Sequence, residues 1–216
     1  SGTYSAITGG TVSGASGDSD YENITLPFPF IYNGVVYSTG QVSTNGWFAF
    51  GQSQTNSVTT NNLASTSGKP FLAPLWDDLS VITANGGEIR NENAGTTPNQ
   101  VFTIQWTNTN WNFSSSSGTP QNFQIKLHES SMTIDFVYGS MMAPNNPSAS
   151  IGINDEVGGS GHFMSITPSG APTVSSTVAN NTIDTIGFLP SGQTFTFTPP
   201  SQTNTDLSLS GMLNPP

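Results

Sequence analysis

The sequence predicts an all-β protein: an antiparallel two-sheet β-sandwich, jelly-roll-like, with about ten to twelve strands and almost no helix. Three observations predict it. Helix-favouring residues are scarce, and β-branched and aromatic residues dominate the apolar set. Short segments that alternate apolar and polar residues recur between clusters of Gly, Asn, Ser and Pro. Each segment has one apolar face, so two sheets must pack face to face, with their outer faces in water.

The elements follow in chain order. Ile24–Tyr32, Gln41–Thr44 and Gly46–Gly51 read as strands around the turns Asn33-Gly34 and Asn45-Gly46. "PFLAPLWDDLS", residues 70–80, reads as a buried strand closed by Asp77 and Asp78. Val101–Asn108 puts Phe102, Ile104 and Trp106 on one face. Asn122–Glu129 does the same with Phe123, Ile125 and Leu127, and Met132–Gly139 with Met132, Ile134, Phe136 and Tyr138. Glu129-Ser130-Ser131-Met132 is a tight turn between them. Ser148–Asn154 presents Ile151 and Ile153, and Gln193–Thr198 presents Phe195 and Phe197. Ser13–Asp20, Gln52–Lys69 and Ser114–Pro120 read as loops. Residues 1–200 form one sandwich domain. Residues 201–216, after Pro199-Pro200, are an extension in which Leu207, Leu209 and Leu213 share one face. The extension is either a docking strand or the start of a following domain.

Composition excludes several functions. Lys and Arg total 3 against 13 Asp and Glu, a net charge of −10. Such a chain cannot neutralise phosphates or bind anionic lipid, so neither nucleic acid nor a membrane surface is a partner. No run approaches the roughly 20 apolar residues of a spanning helix. There is no Cys, which excludes disulfides, thiolate zinc sites and thiol nucleophiles. Only 7% of residues are charged, and Ser, Thr and Asn exceed a third of the chain. A neutral surface rich in hydroxyls and amides points to a secreted, extracellular setting at the cell surface. The chain opens Ser1-Gly2-Thr3 without Met and reads as a mature or excised segment.

Catalytic signatures are missing. There is no Gly-x-Ser-x-Gly elbow and no P-loop, and His128 and His162 alone do not make a zinc site. His128 lies opposite the apolar face of its strand; His162 follows Gly161 in a glycine turn. Asp77 and Asp78 are adjacent, so on a strand they point to opposite faces, unlike an acid/base pair. They read as a strand end whose carboxylates fix the next turn, with Ca²⁺ as the alternative. Asp18, Asp20 and Glu22 are spaced two apart, like the start of a calcium loop. Asn23 and Pro29, however, stand where an EF-hand needs Gly and Glu, so only an irregular Ca²⁺ site is open to them. No other cofactor is expected. Trp111 lies between Asn110 and Asn112 and is the best candidate for an exposed sugar platform, the amides taking hydroxyls. Its alternative is an anchor tucked under a sheet edge.

The ordered set "LPFPFIYNGVVYSTGQVSTNGWFAFG" (26–51), "APLWDDL" (73–79), "VFTIQWTN" and "FQIKLHESSMTIDFVYG" resembles the β-sandwich modules of large secreted surface proteins of Bacteroidota. Val42–Gly46 followed by aromatics, and the Ala-Pro-x-Trp-Asp-Asp run, are similar to the nidogen-like extracellular module. The resemblance covers roughly residues 21–198 and implies a non-catalytic role in adhesion, matrix or surface assembly. It also implies that Thr185, in Asp184-Thr185-Ile186, carries an O-glycan. Asn23, Asn112 and Asn180 begin N-glycosylation sequons. The function expected is a structural or adhesive module, including a repeating subunit of a surface fibre. Its partners would be other copies of itself or neighbouring domains, and Leu207, Leu209 and Leu213 would dock by β-augmentation. The alternative is a lectin-like module for surface glycans, with or without Ca²⁺.

Overall fold

A computed structural model describes residues 3–55, 58–65, 70–111, 120–142, 148–167, 172–179 and 189–200. It is a β-sandwich of two antiparallel sheets. Fifteen strands lie among the described residues, more than the count expected. In order they are β1 (Thr11–Val12), β2 (Gly17–Asp18), β3 (Tyr21–Tyr32), β4 (Val35–Ser43), β5 (Phe48–Phe50), β6 (Phe71–Trp76), β7 (Ser80–Val81) and β8 (Glu88–Ala94). Then follow β9 (Val101–Asn110), β10 (Pro120–His128), β11 (Ile134–Met141), β12 (Ser150–Asn154), β13 (Phe163–Thr167), β14 (Thr173–Ser175) and β15 (Thr194–Phe197). One short 3-10 turn, Thr83–Asn85, links β7 to β8.

One sheet runs β1-β8-β9-β10-β11-β15, with the small β2–β7 pair hung on the end of β9. The other runs β14-β13-β12-β6-β5-β4-β3. Consecutive strands stay together as meanders, so the likeness to a jelly roll lies in the two layers and not in the winding. Asn33 and Gly34 both take positive φ, +50° and +79°, so the β3–β4 hairpin closes on the mirror-image turn that suits strand twist. Met132, expected at the start of a strand, sits instead in the β10–β11 turn with φ +51°.

The inner faces hold what alternation predicts. Phe102, Ile104 and Trp106 of β9, Phe123, Ile125 and Leu127 of β10, and Ile134, Phe136 and Tyr138 of β11 are all buried in one cluster. Ile24, Leu26, Phe28, Phe30 and Tyr32 of β3 meet them from the other sheet. Two buried polar handles tie the layers together. Trp106 Nε1 donates to the Ser43 carbonyl at 2.8 Å, and the Tyr138 hydroxyl donates to the Pro74 carbonyl at 2.7 Å.

The outer faces are not wholly wet, and here the expectation is corrected. The described 58–65 part of the Gln52–Lys69 excursion, which was read as a polar loop, lies over β5 and β6. It buries Leu63 with Trp47, Phe71, Trp76 and Phe163 in a second apolar cluster. Both indoles, Trp47 Nε1 and Trp76 Nε1, donate to the one carbonyl of Val58, at 3.0 and 2.9 Å, using its two lone pairs. On the other sheet the buried amides of Gln105 and Gln124 hold the N-terminal segment. Gln105 accepts from the Ile7 N–H, and Gln124 donates to the Ser5 carbonyl.

Tyr138→Phe removes one inter-sheet bond and leaves a buried carbonyl without its donor. The unfolding free energy should fall by about 1–3 kcal/mol, measured by urea denaturation.

Candidate functional site

The acidic run after β6 is built into a turn. Asp77 N–H donates to the Asn45 carbonyl at 3.3 Å, and Leu79 N–H donates to Asn45 Oδ1 at 3.0 Å. Asp77 Oδ1 accepts from the Asp78 N–H at 2.8 Å, and its Oδ2 accepts from the Ser148 hydroxyl at 2.6 Å. Asn45 is fully buried, and Gly46 beside it takes φ +73° because a Cβ there would strike the Leu75 carbonyl at 2.0 Å. The "STNGW" and "PLWDD" motifs are thus two halves of one junction. Asp77 fixes the turn. Asp78 does not share that work: burial, with the nearby Asp18 and Asp77 carboxylates, pushes its own carboxyl above the ordinary value.

The other predicted residues are placed separately. Asp18 accepts from the Ser19 hydroxyl, Asp20 from the Ser16 and Tyr21 N–H groups, and Glu22 from the Ser13 hydroxyl and the Gly14 N–H. Each carboxylate serves its own stretch of chain, and no group of three or more acidic or His side chains able to hold a metal ion lies among the described residues. Trp111, weighed as an exposed platform or a tucked anchor, is 8% exposed and belongs to the main core cluster; Asn110 is also buried. Asn112, Thr185, Leu207, Leu209 and Leu213 lie outside the described residues.

Both histidines meet an aspartate seven residues away across a hairpin. His128 Nε2 is 2.9 Å from Asp135 Oδ2 on the outer face of β10–β11, and Asp135 Oδ1 accepts from the Thr196 hydroxyl of β15 at 2.6 Å. His162 Nδ1 is 2.7 Å from Asp155 Oδ2, at the turn between β12 and β13. Burial alone would raise both Asp carboxyls. The hydrogen bonds from His128 and Thr196, and from His162 with the Val157 and Gly158 N–H groups, overcome it and hold both below the ordinary value. The Asp155–His162 pair was not foreseen, although His162 was read in a glycine turn. Reading 155–162 as a hairpin loop would have set them opposite each other.

The β12–β13 turn borders a shallow depression of about 150 Å³. Tyr32 and Asn33 of the β3–β4 hairpin line it on one side, with Ile153, Asn154 and Asp155 and residues 161–164 completing the lining. Tyr32 and Tyr37 brace this end: their hydroxyls donate to the Asn154 carbonyl and to Glu156 Oε1, each at 2.8 Å. The lining contains no Ser, Thr or Lys, so the Asp155–His162 pair has no nucleophile to activate there.

The described residues form a two-layer sandwich in which Asp77 serves a turn and the Asp135–His128 and Asp155–His162 pairs span hairpins. The sequence profile of the nidogen-related (NIDO-related) family matches residues 1–199, so the chain belongs to that family, a non-enzymatic extracellular module type. No curated protein and no solved structure matches the chain. No helix among the described residues is long and apolar enough to cross a membrane.

Asp77→Ala should lower stability by about 0.5–2 kcal/mol, the range of a lost capping residue. Asp78→Ala, which relieves like-charge repulsion, should not lower it. Paired urea titrations check both. Asp135 and Asp155 have folded-state values below 3.8, so their contribution is complete above that value and is lost as pH falls through the lower folded value. The thermal midpoint should drop across that acid window. Asp135→Asn with Asp155→Asn should flatten the drop, read by circular dichroism melts at pH 2 to 6.

Proposed function

We propose that this chain is a structural or adhesive module of a large secreted surface protein, and that it assembles with copies of itself or with neighbouring domains at the cell surface. The observation that carries the reading is the match to the nidogen-related family over residues 1–199, an extracellular and non-enzymatic module type. The geometry supports it: Asp77 is committed to a strand end, and Asp135 and Asp155 to two hairpins, as a scaffold requires. The setting proposed is the surface of a Bacteroidota cell, where Thr185 would carry an O-glycan.

Assembly would use residues 201–216. Leu207, Leu209 and Leu213 alternate in a polar stretch and would add a strand to a sheet edge of the next subunit, their side chains filling pockets while the backbone supplies the hydrogen bonds. The lectin alternative loses its platform, because the Trp111 ring lies in the core and does not offer a face to a sugar.

The test compares the full chain with a chain lacking residues 205–216, by sedimentation velocity and by electron microscopy without fixation. The full chain should form oligomers or fibres in a concentration-dependent way, and the shortened chain should be monomeric. Identical sedimentation and identical melting temperatures for the two would overturn the docking role.

A further inference from the structure

We propose that His162 and Met164 form a surface site for a soft monovalent metal cation of the Cu(I) type. The strand register sets the pair. Asn154 lies opposite Phe163, Ile153 opposite Met164, and the Asp155 N–H donates to the His162 carbonyl at 3.1 Å. Met164 lies on β13 and His162 in the turn just before it, while Phe163 between them is 5% exposed and packs into the outer-face cluster with Trp47 and Phe71. Both line the same depression, with Ile153 and Asn33 beside them. The His162 side chain is 41% exposed and Met164 is 42% exposed, so both side chains are reachable from solvent.

The imidazole is already oriented as a ligand. With Nδ1–H donating to Asp155 Oδ2 at 2.7 Å, the neutral imidazole carries its lone pair on Nε2. Nε2 has no hydrogen-bond partner among the described residues. A carboxylate holding the far nitrogen of a metal-binding imidazole is the usual outer-shell arrangement, and it raises ligand basicity. Asp155 itself is occupied, since it also accepts from the Val157 and Gly158 N–H groups. The site therefore offers one imidazole nitrogen and one thioether sulfur, with no free carboxylate oxygen.

That donor set decides the class of ion. Ca²⁺ and Mg²⁺ need six or more oxygen ligands, which are missing here. Zn²⁺ prefers four ligands in a tetrahedron, and thioether sulfur is not among its usual donors. Thioether with imidazole suits a soft d¹⁰ monovalent ion, for which two or three ligands suffice.

Ag(I) is a redox-inert probe for this chemistry and can be titrated into the full chain in chloride-free buffer. The chain should retain one equivalent of Ag(I) in equilibrium dialysis. His162→Gln and Met164→Leu should each weaken retention about tenfold or more, and Asp155→Asn should weaken it by about tenfold. His128→Gln and Met142→Leu, outside the depression, should leave it unchanged. Met164→Leu alters an exposed side chain of similar size, so its effect reports on the sulfur and not on folding. Failure to retain Ag(I), retention that survives both His162→Gln and Met164→Leu, or displacement by equimolar Zn²⁺ would each overturn the assignment.

Discussion

The structure depends on keeping β6 dry on both faces without stranding its polar groups. Phe71–Trp76 is buried at every position, so each carbonyl and indole N–H along it must find a partner inside the protein. Pro74 makes the demand sharper, because a proline in a central strand cannot donate to the ladder. The pairing with β12 accommodates it by a bulge: Ser150 faces Trp76 and Gly152 faces Ala73, so two residues of β6 oppose one of β12. The Pro74 carbonyl then turns across the core to the hydroxyl of Tyr138. Trp76 reaches the opposite way and shares the Val58 carbonyl with Trp47. One strand thus fastens the inner sheet contact and the outer covering at once, and Asn45 with Asp77 locks its end.

Much of this was legible in the sequence, and what was missed has a common physical cause. Period-two alternation gave β9, β10, β11 and β15 their inward residues correctly, because on each of those strands the large apolar side chains fall on one face. It could not give β8, whose sequence Glu-Ile-Arg-Asn-Glu-Asn-Ala has one apolar residue of consequence. β8 exists because seven of its residues pair with β9, from Glu88 opposite Thr107 to Ala94 opposite Val101, and backbone pairing leaves no mark in side-chain pattern. Trp111 was left open between an exposed platform and an anchor under a sheet edge for a related reason. Its polar neighbours suggested exposure, yet the ring lies in the core where β9 ends, and flanking residues report little about a side chain at such a junction.

The assumption that both outer faces are wet failed on glutamine and tryptophan. Gln41, Gln105 and Gln124 are almost fully buried. They are read as surface residues in a sequence, but here they act as adhesive for chain segments laid across the sheets. Gln41 exchanges two hydrogen bonds with the backbone of Gln54, as Gln105 does with that of Ile7. A primary amide carries a donor and an acceptor at one end, which is what an irregular segment needs when it has no strand to pair with. The abundance of amides is therefore partly an interior feature, and a composition argument that assigns them to the surface overstates the hydrophilicity of the exterior.

The longest exposed flank of the sandwich is β3, whose pairing with β4 breaks between Thr25 and Phe30 around Pro27 and Pro29. Two imino residues there delete amide protons from the very rim that a stray ribbon would seek, and the kink bends the rim out of line. Modules crowded side by side on a lattice would slide past one another along this flank instead of fusing. Any cohesion between them has to be addressed to some other part of the surface, which turns a potential source of amyloid into a determinant of order.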